Sequence, residues 1–256
     1  MICIEAYSFD VRAMLAPPDI MAAKRALCIQ PHPDDNEIGM GGTVAALSAA
    51  GCQVHYLTVT TGDLGNLNRS ATREETASIR RIEAEAAGRH LGAQSFTFLG
   101  HGDSTLENVV DLSLEIALVI RKVKPEVIFC PDPYLNYEGH YDHVVTGRAA
   151  ANAFHLSGVS HFPVGDGLSP WAASAIGFYF TARPNTVIDI SGYFERKFEA
   201  IAMHFSQMDL RTLAMYRTYF QMKGAELAQG RGFALGEGLK MLSPLHMHCF
   251  VDAERM

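Results

Sequence analysis

Residues 26–42 read ALCIQPHPDDNEIGMGG. Ala26-Leu27-Cys28-Ile29 is apolar enough to be a buried strand, the first β-rich run being Leu27 to Gln30. Directly behind it come His32, Asp34, Asp35 and Glu37, then three glycines among Gly39-Met40-Gly41-Gly42. Glycines after a strand suggest a phosphate cradle, but the G-x-G-x-x-G spacing is absent and no G-K-[ST] follows. Two adjacent carboxylates would also repel a pyrophosphate. The glycines are therefore expected to turn the chain tightly into a helix starting near Thr43, whose N-terminus favours the acids beside it.

Further apolar runs extend this unit: Val54 to Thr60, Ser95 to Leu99, Val127 to Cys130, Ile176 to Phe180 and Val187 to Ile190. Helical spacing separates the first four, over Thr43 to Ala50, Arg73 to Leu91 and Val109 to Val123, with Lys124-Pro125 as a stop. Strand–helix–strand alternation predicts an α/β fold: a Rossmann-like, mostly parallel sheet with helices on both faces. We expect one domain over residues 25–256 with an irregular C-terminal region, and an N-terminal arm over residues 1–24. Tyr193 to Ala228 reads as helical, and Gly230 to Met256 has no clear period. Parallel sheets bind ligands at the carboxyl ends of their strands. The loops Pro31 to Gly42, Thr61 to Asn68, Gly100 to Glu107 and Pro131 to His143 should then open at one edge.

The 256 residues are 48% hydrophobic, enough for one substantial core. A net charge of −7 without a Lys/Arg run argues against nucleic acid and anionic membranes as partners. No apolar run reaches the roughly 18 residues of a membrane span, and no signal peptide is evident. Cys3, Cys28, Cys52, Cys130 and Cys249 are scattered and form no C-x-x-C. They read as reduced structural thiols in a cytoplasmic protein.

The acids have a use if the loop holds a metal. His32 and Asp35 lie three apart on a turn and can reach one ion. A third ligand must come from another strand end, and His140-Tyr141-Asp142-His143 on the fourth loop offers it. Two imidazoles and one carboxylate suit Zn²⁺ with a position open for water. With Asp35 on the metal, Asp34 is spare as a general base for the activated water. His32-Pro33-Asp34 with a distant histidine also matches the facial triad of non-haem iron oxygenases. That motif's commonest host is an all-β jelly roll, and this chain reads α/β.

With these residues in place, the sequence resembles the zinc-dependent deacetylases of the PIG-L/LmbE family. Five motifs match in order between about Ala26 and Gln207. They are His32 to Asp35 with its following acid and glycines; Thr61-Gly62-Asp63-Leu64-Gly65; Arg80-Arg81-Ile82-Glu83-Ala84 with Leu91-Gly92; Phe98-Leu99-Gly100 with Asp103; and His140 to His143. Lys197 with His204-Phe205-Ser206-Gln207 fits a further segment. Asn36 stands where many members carry an acid, with Glu37 following. Within the family the chain is nearest the branch acting on N-acetylglucosamine and its β-linked dimer, which includes the diacetylchitobiose deacetylases.

The resemblance implies roles. His32, Asp35 and His143 would hold zinc. Asp34 would be the general base, His140 would stabilise the oxyanion and protonate the amine, and Asp142 would orient His140. Arg80 and Asp103 would grip sugar hydroxyls. The reaction would release acetate and a free amine from a small N-acetyl sugar. A hydratase of carboxylated alkenes on the same fold is the alternative, but those relatives tend to lose the acid kept here as Asp35. The branch also implies a homo-oligomer, a trimer or hexamer. The tail carries His246 and His248 in an otherwise apolar stretch, and we expect one of them to reach a neighbouring subunit's pocket, with packing inside the same subunit as the alternative.

Overall fold

The computed structural model describes residues 16–162 and 167–256. The first fifteen residues of the expected arm lie outside these, while Ile20 is buried against the main core. Seven strands, β1 (Arg25–Gln30), β2 (Gln53–Thr60), β3 (Ser95–His101), β4 (Val127–Pro131), β5 (Ala175–Tyr179), β6 (Thr186–Asp189) and β7 (Gly236–Leu242), form one sheet in the order β3-β2-β1-β4-β5-β7-β6. The first five pair in parallel, and β7 runs antiparallel between β5 and β6. Among the described residues the six α-helices are α1 (Asp35–Ala49), α2 (Arg73–Leu91), α3 (Val109–Val123), α4 (Tyr141–Leu156), α5 (Phe194–Ala202) and α6 (Leu210–Leu227).

A parallel strand covered on both faces must be apolar on both. In β1, Ala26 and Cys28 join the layer under α1, α2 and α5, while Leu27 and Ile29 join the layer under α3 and α4. The helix ends are encoded locally. Thr72 accepts from the Glu75 amide at 3.1 Å while Glu75 accepts from the Thr72 amide at 2.8 Å, a reciprocal cap that starts α2. Gly92, at φ 102°, ends it.

Three elements depart from the sequence reading. First, α1 begins at Asp35 rather than near Thr43, with an internal break at Met40 (φ −148°, ψ 24°). The glycines serve close packing rather than a turn. A β-carbon on Gly39 would sit 2.5 Å from the Tyr179 ring, and one on Gly42 would sit 2.7 Å from Ile190. Second, α4 and β7 form where no period is visible. Ala149, Ala150, Ala151 and Ala153 give α4 buried residues around much of its circumference, so no polar stripe marks it. Third, the expected helix over Tyr193 to Ala228 is two helices. The chain turns between them where the Ser206 amide and hydroxyl both donate to Glu83 at 2.8 and 2.6 Å, and Asp209 caps α6 through the Thr212 amide at 2.7 Å.

The four loops do open together. The strand order reverses beside β1, whose neighbours are β2 and β4, and this is where an open parallel sheet leaves its crevice.

Candidate metal centre and its pocket

The loop after β1 places His32, Asp34 and Asp35 at that crevice. Asp35 Oδ2 accepts from the His32 amide at 2.8 Å and lies 3.2 Å from His32 Nδ1. Its other oxygen, Oδ1, lies 3.3 Å from His143 Nε2, which the first turn of α4 brings across from the fourth loop. His32, Asp35 and His143 are all buried, and their ligand atoms lie within 4.8 Å of one another. Tetrahedral zinc with bonds near 2.0–2.1 Å needs ligand atoms about 3.3–3.4 Å apart. The three residues therefore fit such an ion with little movement.

The electrostatics agree. Burial alone would raise the Asp35 carboxyl, but His143 and His32 hold it well below the usual carboxylate range. Burial works against a charge on His32, yet its hydrogen bonds to Asp103, Asp142 and Asp35 outweigh that and raise it to about 12. The cluster of carboxylates keeps a proton where a cation would sit.

Asp34 has the spare place. It adopts φ 156°, ψ −18°, a backbone region L residues rarely enter. Its Oδ2 lies 3.3 Å from Arg80 Nη2. Burial pushes the Asp34 carboxyl up, with Asp35 adding to the rise and Arg80 opposing it. Arg80, expected to grip a sugar, is turned inward instead. Its side chain is 5% exposed, Nη1 donates to the Gly62 carbonyl at 2.8 Å, and Nη2 donates to the Pro33 carbonyl at 3.3 Å. It lies on the face of α2 that is buried with Glu83, Ala84 and Ala87, and that packing points it under the first loop.

Asp142 also departs from expectation. It is fully buried, accepts from the Ser104 amide at 2.8 Å and lies 3.3 Å from His32 Nε2, so the ring it orients is His32 rather than His140. Asp142 sits inside the first turn of α4, facing inward, whereas His140 precedes the helix and keeps 42% of its side chain exposed. His140 packs edge-on to His32 at 4.3 Å between ring centres. Burial pushes its ring below the ordinary value, with His32 and His143 adding to the effect. Asp103, on the third loop, is buried, with Oδ1 3.5 Å from His32 Nε2 and 3.9 Å from His140 Nε2.

Two residues escaped the sequence reading. Glu138 accepts from the His140 amide at 2.7 Å through Oε1, and its Oε2 lies 3.4 Å from His143 Nδ1. It links the two histidines of the fourth loop, as an acid behind a ligating imidazole does. Its position two residues ahead of His140 was the available signal. Glu237, on β7, accepts from Lys197 Nζ at 2.6 Å and from the Thr43 amide and hydroxyl at 2.6 and 2.8 Å. It caps the second half of α1 just after the break, and no local pattern marks it.

A cavity of about 880 Å³ opens beside Asp35 and His143. Phe180, Tyr216, Tyr219 and Phe220 supply its aromatic lining, and the Lys197–Glu237 pair lines it too. His246 does not reach outward: it is 4% exposed and its Nδ1 accepts from the Ser243 amide at 3.1 Å. His248 is exposed, its ring centre 5.3 Å from that of His155.

The chain is similar to known proteins. The family GlcNAc-PI de-N-acetylase (PIG-L) matches residues 27–154. The diacetylchitobiose deacetylase of Thermococcus kodakarensis is 38% identical over 83% of this chain and 84% of its own length. The N,N'-diacetylchitobiose deacetylase of Pyrococcus horikoshii superposes with a TM-score of 0.87 at 34% identity, over 93% of this chain and 90% of that one. The 4-carboxy-2-hydroxymuconate hydratase GalB of Pseudomonas putida superposes with a TM-score of 0.73 at 24% identity, over 86% of this chain and 96% of that one; it shares the fold.

Proposed function

This chain belongs to the PIG-L family and is a hydrolytic N-deacetylase, and we propose that it removes the acetyl group of a small N-acetylated amino sugar at a zinc held by His32, Asp35 and His143. The observation that carries the reading is Asp35, whose two oxygens each face a different imidazole nitrogen at 3.2 and 3.3 Å. Zinc bound there would polarise the acetamide carbonyl and activate a water.

The protein's own groups do the rest. Asp34 accepts the proton of the attacking water, and its raised carboxyl suits a base. Arg80 holds Asp34 in place. His140, part-exposed beside His32, faces the developing oxyanion and delivers a proton to the departing nitrogen, without which an amine does not leave. Asp142 fixes the His32 ring, and Glu138 fixes His140 and His143. Asp103 meets a sugar hydroxyl. Acetate and a free amine are the products.

We further propose a cytoplasmic homo-oligomer of three or six subunits. The apolar residues Leu210 and Met222 on α6, 87% and 71% exposed and outside the cavity, support assembly. The free thiols of Cys28, Cys52, Cys130 and Cys249 support a reducing compartment.

Incubation with N-acetylglucosamine and with diacetylchitobiose, followed by assay of acetate and of free amine, tests the reading. Equal release of both products from either sugar supports it. Release from neither, with turnover of a carboxylated alkene, would replace it by hydration.

A further inference from the structure

We propose that His204 and Glu37, a buried pair outside the metal centre, are positioning residues for Asp34: they pin the first turn of α1 and so hold the base in its strained backbone conformation. The inference rests on the reading of Asp34 as the base.

Both side chains are 0% exposed, and His204 Nε2 lies 3.3 Å from Glu37 Oε2. Neither is well satisfied. Both ring nitrogens of His204, both carboxylate oxygens of Glu37 and the Tyr56 hydroxyl are buried without a partner in hydrogen-bond geometry among the described residues. Burial, and then the Glu37 charge, push the Tyr56 hydroxyl up, which places it in the same cluster. Native cores keep few such groups, and each needs a reason. Stability is a poor one, because apolar residues often replace a buried ion pair at no loss. A demand from the neighbouring site is a better one.

That demand is at Asp34. Its φ of 156° is a strain that persists only where the surroundings over-determine it. Arg80 holds one side, through Asp34 Oδ2 and the Pro33 carbonyl. Glu37 holds the other. It lies in the first turn of α1, where the Ile38 amide donates to the Asp34 carbonyl at 3.0 Å. His204 gives it a fixed post in the turn between α5 and α6. The His204 carbonyl accepts from the Gln207 and Met208 amides at 2.9 Å each, and the residues that follow are tied to Glu83 and to the Gly65 carbonyl. The charges also meet. Burial lifts the Asp34 carboxyl, and after Arg80 the group that most opposes the rise is His204. Burial works against a charge on His204, but Glu37, with Asp34 and Glu83 behind it, outweighs this and raises the ring.

The test uses the neutral double variant Glu37→Gln/His204→Gln, alone and in an Asp34→Asn background. Acetate release from N-acetylglucosamine and diacetylchitobiose, zinc by elemental analysis and melting temperature are read for each. The double should keep its zinc and melt no lower than wild type, because no charge is stranded. Its kcat should fall roughly 10- to 100-fold, up to what a misplacement of about 1 Å can cause, with KM unchanged. Equal falls in kcat and kcat/KM mark an interaction made only in the transition state. In the Asp34→Asn background the same changes should cost less than about 2-fold more, because groups acting through one residue are not additive. A double with wild-type kcat overturns the inference. A double that loses zinc or melts well below wild type marks a merely structural pair and also overturns it. So does a full further loss in the Asp34→Asn background, which shows the pair acting elsewhere. Asp34→Asn at the wild-type rate removes the base, and this inference with it, and leaves the metal ligands standing. A wild type that turns over neither sugar overturns the proposed substrate and the roles of Asp34 and its supports together.

Discussion

Residues 25–156 and residues 175–256 extend the same sheet by different rules. In the first part, strands β1 to β4 run parallel, and each ends in a loop that contributes to the metal centre or its supports. In the second, β7 runs antiparallel, and of α6 only Gly224 is buried. The first part carries every proposed metal ligand, acid and base. Beyond it, Phe180, Tyr216, Tyr219 and Phe220 supply the aromatic side of the cavity. The difference teaches a division of labour. Parallel strands fix polar side chains at one edge to within hydrogen-bond distances, while a thinly packed helix can change its wall residues without disturbing the sheet.

The sharpest way to break this division is to remove a ligand from the first part. His143→Ala should reduce zinc from about one ion per chain to near none and abolish acetate release. Full zinc in this variant, measured by elemental analysis, would take His143 out of the site.

The two parts meet where Glu237, paired with Lys197, accepts from the Gly42 and Thr43 amides; the Lys197 and Glu237 side chains are 1% and 7% exposed. Removing one member of a buried ion pair strands the other charge, at a cost of about 3–5 kcal/mol. Lys197→Met should lower the unfolding free energy by that amount in urea titration. It should also loosen α1, because Glu237 caps the Gly42 and Thr43 amides at 3.2 and 2.6 Å. A loss under about 1 kcal/mol, typical of an exposed pair, would show that the two parts are not coupled there.

Asp34→Asn separates chemistry from metal binding within the first part. It preserves size but removes the basic oxygen. Turnover should fall by roughly 10²-fold or more, the usual general-base contribution, with zinc and folding intact. Loss of zinc would instead exchange the roles of Asp34 and Asp35.

Proton competition gives an effect of similar size. In the metal-free protein His32 is raised to about 12. Its proton therefore favours the metal-free fold fully below the ordinary ring value, and this gain is lost only as pH climbs toward that raised one. Asp35 is held low and stays ionised above neutrality. Zinc must expel the His32 proton, so its affinity should weaken roughly tenfold per unit as pH falls from 8.5 to 6.5. Calorimetric titration at the two ends should differ about 10²-fold, and a flat profile would mean that His32 is already deprotonated.

The first part was also the legible one. Its strands are buried on both faces, so apolar runs mark them, and α2 carries its own cap at Thr72 and stop at Gly92. Its acids stood out because they follow an apolar strand without a counter-charge nearby in sequence. What the sequence concealed is set by distant packing. The glycines of α1 answer to Tyr179 and Ile190, more than 130 residues away by their numbers. The partner of Asp142 is settled by the inward turn of α4, and spacing cannot distinguish His32 from His140. Glu237 has meaning only once β7 lies beside the break in α1.

The mildest test falls on the second part. Tyr219 is 58% exposed on α6 and packs edge-on to Phe220 with ring centres 5.1 Å apart, in the lining of the cavity that also holds Asp35. A sugar ring beyond the one being deacetylated would lie against this wall, where an aromatic contact contributes about 0.5–1.5 kcal/mol. Tyr219→Ala should therefore raise KM for a disaccharide by roughly 2- to 12-fold, the same energy expressed as a ratio. KM for the monosaccharide should hardly move, and kcat should hold for both. A change in KM alone marks binding shared by ground and transition states, which is what a wall that selects without aligning would give. If kcat falls as far as kcat/KM, the wall is steering the acetamide toward Asp34 and His140. The separation between a chemical part and a selecting part would then fail at α6.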